Sequence, residues 1–209
     1  MAQRRRGRRP RAVGEEQKEA RRREILRAAK SVFAKQGYHS TTMADVAKAA
    51  KLSYGAVYWY FPSKEELFHA VMALEEEALR ERIYEELAGA APGDLIAGLT
   101  LAVRATFEFF QEDRAAARLF FRDAYSLGGR FESHLFGIYE RFIDDIAALI
   151  AEAQRRDLIV EVPPRMAAFS LAALIGQLAH RRLTTDDGLD AAVVADFVVR
   201  LVMDGLRPR

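Results

Sequence analysis

Residues 54–61 read YGAVYWYF, so that Tyr54, Tyr58, Trp59, Tyr60 and Phe61 crowd around Gly55 and Ala56. In a helix, side chains three or four apart share a face while immediate neighbours diverge, so a stretch this short cannot bury five large rings at once. Some of the rings face outward. A tyrosine ring packs on a thymine methyl while its hydroxyl reaches a base edge or a phosphate, and side chains as small as those of Gly55 and Ala56 let backbone approach a groove closely. The hydroxyls of Thr42 and Ser53 and the cations of Lys51 and Lys64 flank the stretch. Residue types at this spacing suit contact with double-stranded DNA. Tyr54, Gly55, Ala56 and Tyr58 are left for the outside, with Trp59 and Tyr60 in part, while Thr42, Tyr60 and Lys64 meet backbone phosphates.

The charge distribution agrees. The net charge of +2 is the remainder of an opposed pair: as far as Lys64 there are sixteen Lys and Arg against five Asp and Glu, and beyond it sixteen against twenty-five. A basic first third beside an acidic remainder assigns polyanion binding to one part of the chain. The first fourteen residues, MAQRRRGRRPRAVG, hold Arg4, Arg5, Arg6, Arg8, Arg9 and Arg11. They read as a disordered arm that either enters a neighbouring minor groove or supplies diffuse attraction with a steep salt dependence. With no cysteine, disulfides and thiolate metal sites are excluded. The four histidines, His39, His69, His134 and His180, lack ligand spacing, and no HExxH, glycine-rich phosphate loop or GxSxG occurs. No metal, no cofactor and no enzymatic activity are therefore expected. The longest apolar run, 167–179, is too short to span a bilayer, and no apolar segment follows the basic start, so a cytoplasmic protein without a membrane partner is expected.

The elements that must position these residues are helical. Apolar residues recur every three or four positions almost throughout, and β-branched runs of strand type are missing. The reading is an all-α chain of nine helices: 16–36, one starting after Thr42, a two-turn helix capped by Ser53, 63–87, 95–111, 114–127, 131–156, 163–183 and 189–206. Ile25, Ala28, Ala29, Val32 and Phe33 form the first stripe, and Gly37 stops that helix. Thr42 with Asp45, and Ser63 with Glu66, make capping-box starts. Three parts follow: the arm over 1–14, a DNA-binding domain over 15–62, and a domain over 63–209 entered by the long helix 63–88.

Two short helices joined by a three-residue turn, the second very short, describe a helix-turn-helix. Ala47 is small where the helices cross, Leu52 plugs the turn, and Val57 and Phe61 face back with Val46. At these residues the segment TMADVAKAAKLSYGAVYWYFPSKEEL, 42–67, resembles the N-terminal signature of the TetR family of bacterial repressors. Thr42, Val46, Ala47, Ala50, Ser53, Gly55, Val57, Tyr58, Tyr60, Phe61, Ser63, Lys64 and Leu67 carry the match. The resemblance implies base reading by Tyr54, Gly55, Ala56 and Tyr58, and phosphate contacts by Thr42, Ser53, Tyr58, Tyr60 and Lys64. Lys51 departs from it, standing where the family usually has glycine. A left-handed lysine there costs roughly 1 kcal/mol and adds a cation beside the DNA.

The same resemblance implies that the C-terminal helices enclose an apolar ligand cavity. Phe107, Phe110 and Phe121 are among its aromatic candidates, and Thr106, Tyr125, Tyr139 and Gln177 could orient a hydrophobic or amphipathic ligand. Arg118 and Arg122, four apart, could hold an anionic head group such as that of a fatty acyl-CoA. The eighth and ninth helices carry more apolar surface than one core needs: Ala167, Ala168, Ser170, Ala172, Ala173, Gly176 and Ala179 on one, and Ala192, Val194, Phe197, Val198, Leu201 and Val202 on the other. By resemblance they pair with their symmetry mates in a homodimer. The expected function is a nucleoid-associated, ligand-responsive repressor that binds a pseudo-palindromic operator as a dimer. The alternative is an architectural protein that coats DNA without sequence choice.

Overall fold

The computed structural model describes residues 10–89, 91, 93–123, 130–185 and 188–206. Among these there are nine α-helices and no strand: α1 Pro10–Gln36, α2 Met43–Ala49, α3 Tyr54–Tyr60, α4 Lys64–Leu87, α5 Leu95–Glu112, α6 Arg114–Arg118, α7 Arg130–Arg155, α8 Pro164–Thr184 and α9 Ala191–Leu206. The chain forms two compact units, Met1–Val71 and Met72–Arg209. Helix α4 begins in the first and ends in the second.

The first unit is built on α1. Ile25, Ala29 and Phe33 are fully buried, as are Val46, Val57, Leu67, Phe68 and Val71 from the other helices. Phe33 meets Phe68 edge-on at 4.8 Å between ring centroids, and Tyr38 meets Phe68 at 5.2 Å. Helix α1 starts at Pro10, six residues earlier than the composition of the arm suggested. Proline suits a first helical turn, because its φ is already set and its missing N–H has no partner to lose there.

In the second unit α5 lies chiefly on α9 and α7 on α8. Leu99, Val103, Phe107 and Phe110 of α5 join Ile143, Ile146 and Ile150 of α7, Leu171 and Ile175 of α8, and Val194 and Val198 of α9 in one core. The helix expected over 114–127 is α-helical only to Arg118; Leu119–Asp123 is a wider π turn, and 124–127 lie outside the described residues. Around this turn two consecutive rings, Phe120 and Phe121, reach Phe110, at 5.6 and 4.9 Å. Helix α9 starts at Ala191 rather than 189, since the Asp190 carboxylate accepts the Ala192 N–H and ends the preceding loop there.

Candidate nucleic-acid interface

Helix α2 is started by a reciprocal cap. The Asp45 N–H donates to Thr42 Oγ1 (3.2 Å), while the Thr42 N–H and hydroxyl both donate to Asp45 Oδ2 (2.9 and 2.6 Å). These bonds, the hydroxyl's first, hold the Asp45 carboxyl below its ordinary pKa. The Thr42 hydroxyl proton is thus engaged within the cap, so a phosphate contact from this residue requires the hydroxyl to turn away from Asp45.

Helix α2 ends in a Schellman motif. The Leu52 N–H donates to the Ala47 carbonyl and the Lys51 N–H to the Lys48 carbonyl, with Lys51 left-handed at φ 56°. Closing the turn therefore puts a lysine in a conformation that glycine adopts without penalty. Lys51→Gly should raise the unfolding free energy by about 1 kcal/mol in urea titration, whereas Lys51→Ala should not.

Ser53 Oγ then accepts the Ala56 N–H at 3.2 Å and starts α3. Val57 turns inward and is fully buried, and Phe61 closes the same side. The opposite side presents Tyr54, 53% exposed, with Gly55 exposed and Ala56 and Tyr58 half-buried. Tyr54 and Tyr58 lie ring against ring (4.6 Å), and the Tyr54 hydroxyl donates to that of Tyr58 at 3.0 Å. That bond raises the pKa of Tyr54. It also leaves the Tyr58 hydroxyl proton directed to acceptors elsewhere. A methyl group added at Gly55 would meet no atom within 4 Å. Trp59 is 65% exposed and abuts Tyr60 edge-on at 4.7 Å.

Lys64 does not stand ready for a phosphate. Its ammonium donates to the carbonyls of Tyr38 (2.8 Å), His39 (3.3 Å) and Thr41 (2.9 Å), and lies 4.4 Å from the centroid of the Tyr38 ring. An ammonium has three N–H donors, and all three are used. Burial lowers its pKa. Lys64 thus ties the 38–41 loop, and with it the start of α2, to the start of α4, and a phosphate contact from it requires the ammonium to release one of these carbonyls. Lys64→Met should cost about 2–3 kcal/mol of stability, because it removes charge-assisted bonds to three carbonyls. The salt dependence of DNA binding, measured under folding conditions, should stay as in the unaltered chain.

The residues expected to line a ligand cavity divide. Phe107 and Phe110 belong to the core, and Phe121 lies against Phe110. Thr106 is buried with its hydroxyl donated to the Ala102 carbonyl at 2.8 Å, which leaves it only as an acceptor. Tyr139 is half-buried, 6.2 Å from Phe169. Gln177 is exposed, whereas Gly176 faces Phe121, a methyl there lying 3.8 Å from the ring, and the next residue of a helix points about 100° away. Arg118 is exposed. Arg4, Arg5, Arg6, Tyr125 and the side chain of Arg122 lie outside the described residues.

On α9, Val194 and Val198 are buried in their own core, which corrects the expectation that they face a partner. The outward face is Val193, Phe197 and Leu201, and α8 adds Met166 and Phe169, all more than half exposed. Phe169, Met166 and Val193 have no distinguishing signal in the sequence, because both faces of these helices are apolar. Among the described residues no helix is long and apolar enough to cross a membrane, and no group of three or more acidic or histidine side chains could hold a metal ion.

A family model described as bacterial regulatory proteins, tetR family, matches residues 25–71, which span α1 through the start of α4. The chain is 29% identical over 190 residues to the HTH-type transcriptional activator FasR of Mycolicibacterium smegmatis, covering 90% of this chain and 84% of that one. It is 26% identical over 211 residues to the HTH-type transcriptional regulator RutR of Escherichia coli, covering 97% and 96%. The fold is shared with FadR from Bacillus subtilis, solved in complex with stearoyl-CoA, at a TM-score of 0.79 and 20% identity over 88% of this chain and 98% of that one. The matched helix-turn-helix, the all-helical architecture and relatives aligned along nearly the full length converge: residues 25–71 match the DNA-binding segment of the tetR family of bacterial regulatory proteins, and the chain as a whole is similar to HTH-type transcriptional regulators.

Proposed function

We propose that this regulator is a homodimeric repressor that binds a pseudo-palindromic operator through α3 and is released when an amphipathic small molecule of the fatty acyl-CoA class enters the C-terminal bundle. The observation that carries the DNA-reading part is the outer face of α3. Its cap at Ser53 and its anchor at Val57 orient the helix, and a methyl at Gly55 would meet nothing within 4 Å beyond its chain neighbours and the helix's own backbone. A glycine inside a helix costs stability relative to alanine, and close approach of something outside accounts for a glycine at this position. Base edges in a major groove fit that requirement, with Tyr54, Ala56 and Tyr58 beside them. Thr42, Ser53, Lys51 and Tyr60 flank this face toward the phosphates, and the arginines at 4–6 add attraction from the arm.

Dimerisation through α8 and α9 is supported by the apolar face of Met166, Phe169, Val193, Phe197 and Leu201. Two copies related by a two-fold axis would set their reading helices about one duplex turn, roughly 34 Å, apart. The acyl-CoA assignment draws on the ligand of the FadR structure and on the aromatic cluster of Phe107, Phe110 and Phe121. Coupling would run along α4, whose second half is tied by ion pairs of Glu76 to Arg141 (2.8 Å), Arg82 to Glu108 (3.2 Å) and Glu86 to Arg104 (2.5 Å). Repression needs only occupancy of the operator, whereas activation, the role in the name of FasR, needs a further surface for the transcription machinery. A regulator of this kind acts at the nucleoid, in the bacterial cytoplasm.

The test is selection of bound duplexes from a random library, followed by titration of the recovered duplex against stearoyl-CoA. A half-site pair spaced by one turn, and an affinity that falls as stearoyl-CoA rises, are expected. Equal binding to scrambled duplexes would replace sequence reading by the architectural alternative.

A further inference from the structure

Two cations of α1 differ from their neighbours in what holds them. Arg21 is paired with Glu24 at 2.7 Å and Arg23 with Glu19 at 3.5 Å, so their charges are largely neutralised on the helix itself. Lys18 and Arg22 meet no carboxylate among the described residues. They sit on rings at the far end of α3 instead: Lys18 Nζ lies 5.1 Å from the centroid of Trp59, and the Arg22 guanidinium 5.3 Å from that of Phe61. The cause is helical spacing. Positions 18 and 22 continue, one turn at a time, the stripe that buries Ile25 and Ala29, so they emerge on the side of α1 that faces α3.

This arrangement also accounts for Trp59. A ring 65% exposed, with its edge against Tyr60 and a cation over it, is poorly explained by packing within the chain. A ring face attracts a cation without neutralising it, so an ammonium held there keeps its full charge and its donors for an anion. We propose that Lys18 and Arg22, seated on Trp59 and Phe61, form a second phosphate-binding strip on α1 that grips the duplex backbone beside the groove read by α3, with Trp59 as the positioning residue for Lys18. The occupant is the phosphate backbone of double-stranded DNA, chosen because Lys18 lies over Trp59, the exposed ring at the end of the reading helix, with Arg22 one turn further along α1, and neither cation meets a carboxylate among the described residues. The inference rests on the DNA-binding reading above and extends it to a helix that reading does not use.

The experiment uses the full chain and a fluorescein-labelled 40-base-pair duplex of mixed sequence, with affinity measured by anisotropy over a series of KCl concentrations. Each phosphate contact contributes about −0.9 to the slope of log affinity against log salt. Lys18→Gln with Arg22→Gln should therefore flatten the slope by nearly 2 and weaken binding at 0.1 M salt by on the order of tenfold per cation. Trp59→Leu should weaken binding severalfold in the unaltered chain but have no effect once Lys18 is glutamine, and Trp59→Phe, which keeps a ring, should bind nearly as the unaltered chain does. Circular dichroism checks that the variants fold, which the exposure of Lys18 and Trp59 favours. An unchanged salt slope in the double variant overturns the strip while leaving DNA binding by α3 intact. An equal Trp59→Leu effect with and without Lys18 overturns the positioning role. Failure of the unaltered chain to bind any duplex overturns both this inference and the function on which it rests.

Discussion

Gly55→Leu should lower the affinity for the selected operator about a hundredfold while leaving the fold intact, and Gly55→Ala should weaken binding less while making the protein more stable. The two effects separate because they have different sources. Inside the chain nothing stands within 4 Å of a methyl at this position, so a side chain meets no steric penalty there. Gly55 lies within α3 with ordinary helical backbone, and alanine in place of glycine in a helix gains up to about 1 kcal/mol. At a base edge in the proposed complex the same methyl would have no room, and forcing extra carbon into a packed contact costs roughly 1–3 kcal/mol, about five- to 150-fold in affinity. Urea unfolding and operator titration on the same preparations decide the matter. A Gly55→Leu protein that binds the operator as tightly as the unaltered chain would remove α3 from the groove, and with it the base-reading assignment of Tyr54, Ala56 and Tyr58.

Phe197→Glu should convert the protein to a folded monomer and with it abolish measurable operator binding at concentrations where the dimer saturates. Phe197 is 58% exposed and stands between Val193 and Leu201 on one line of α9, away from the buried Val194, Val198 and Val199. The ring contributes little to its own core, so the monomer should keep its helices. In a symmetric pair each Phe197 would be covered by the partner, and a carboxylate in its place must lose water without gaining a donor. Loss of one such anchor costs about 4 kcal/mol, roughly a thousandfold in the dissociation constant of the dimer. A monomer holds a single reading head, and the added affinity of two linked half-sites disappears. Analytical ultracentrifugation reads the first effect and operator titration the second. A dimer of unchanged strength would move the interface off α9.

Much of the DNA-facing part was legible from the order of residues, because its rules are local. Thr42 caps with Asp45, three residues on; Ser53 caps with Ala56, also three on; and the turn at Lys51 closes on Lys48 and Ala47. Such bonds span three to five residues and depend little on the rest of the chain. Val57 and Phe61 are inward by the same short spacing that turns Tyr54 and Tyr58 outward. Patterning of this kind was enough for the helix-turn-helix, for the all-helical class and for the outward tyrosines.

Other features are decided by partners far along the chain. Lys64 looks like a free cation in the sequence, yet its partners lie 23 to 26 residues earlier, and only their approach uses its three donors. Lys18 acquires its role from Trp59, forty-one residues later. Helix α9 is apolar on two sides, and the packing of α5 against it selects Val194 and Val198 for the interior and leaves Phe197 and Leu201 outside. On α8 a single step separates Gly176, which faces Phe121, from Gln177, which does not. Short-range hydrogen bonds and helical periodicity are written in the order of residues; the side on which a helix is covered, and which donors are already taken, follow from contacts that exist only once distant segments have packed.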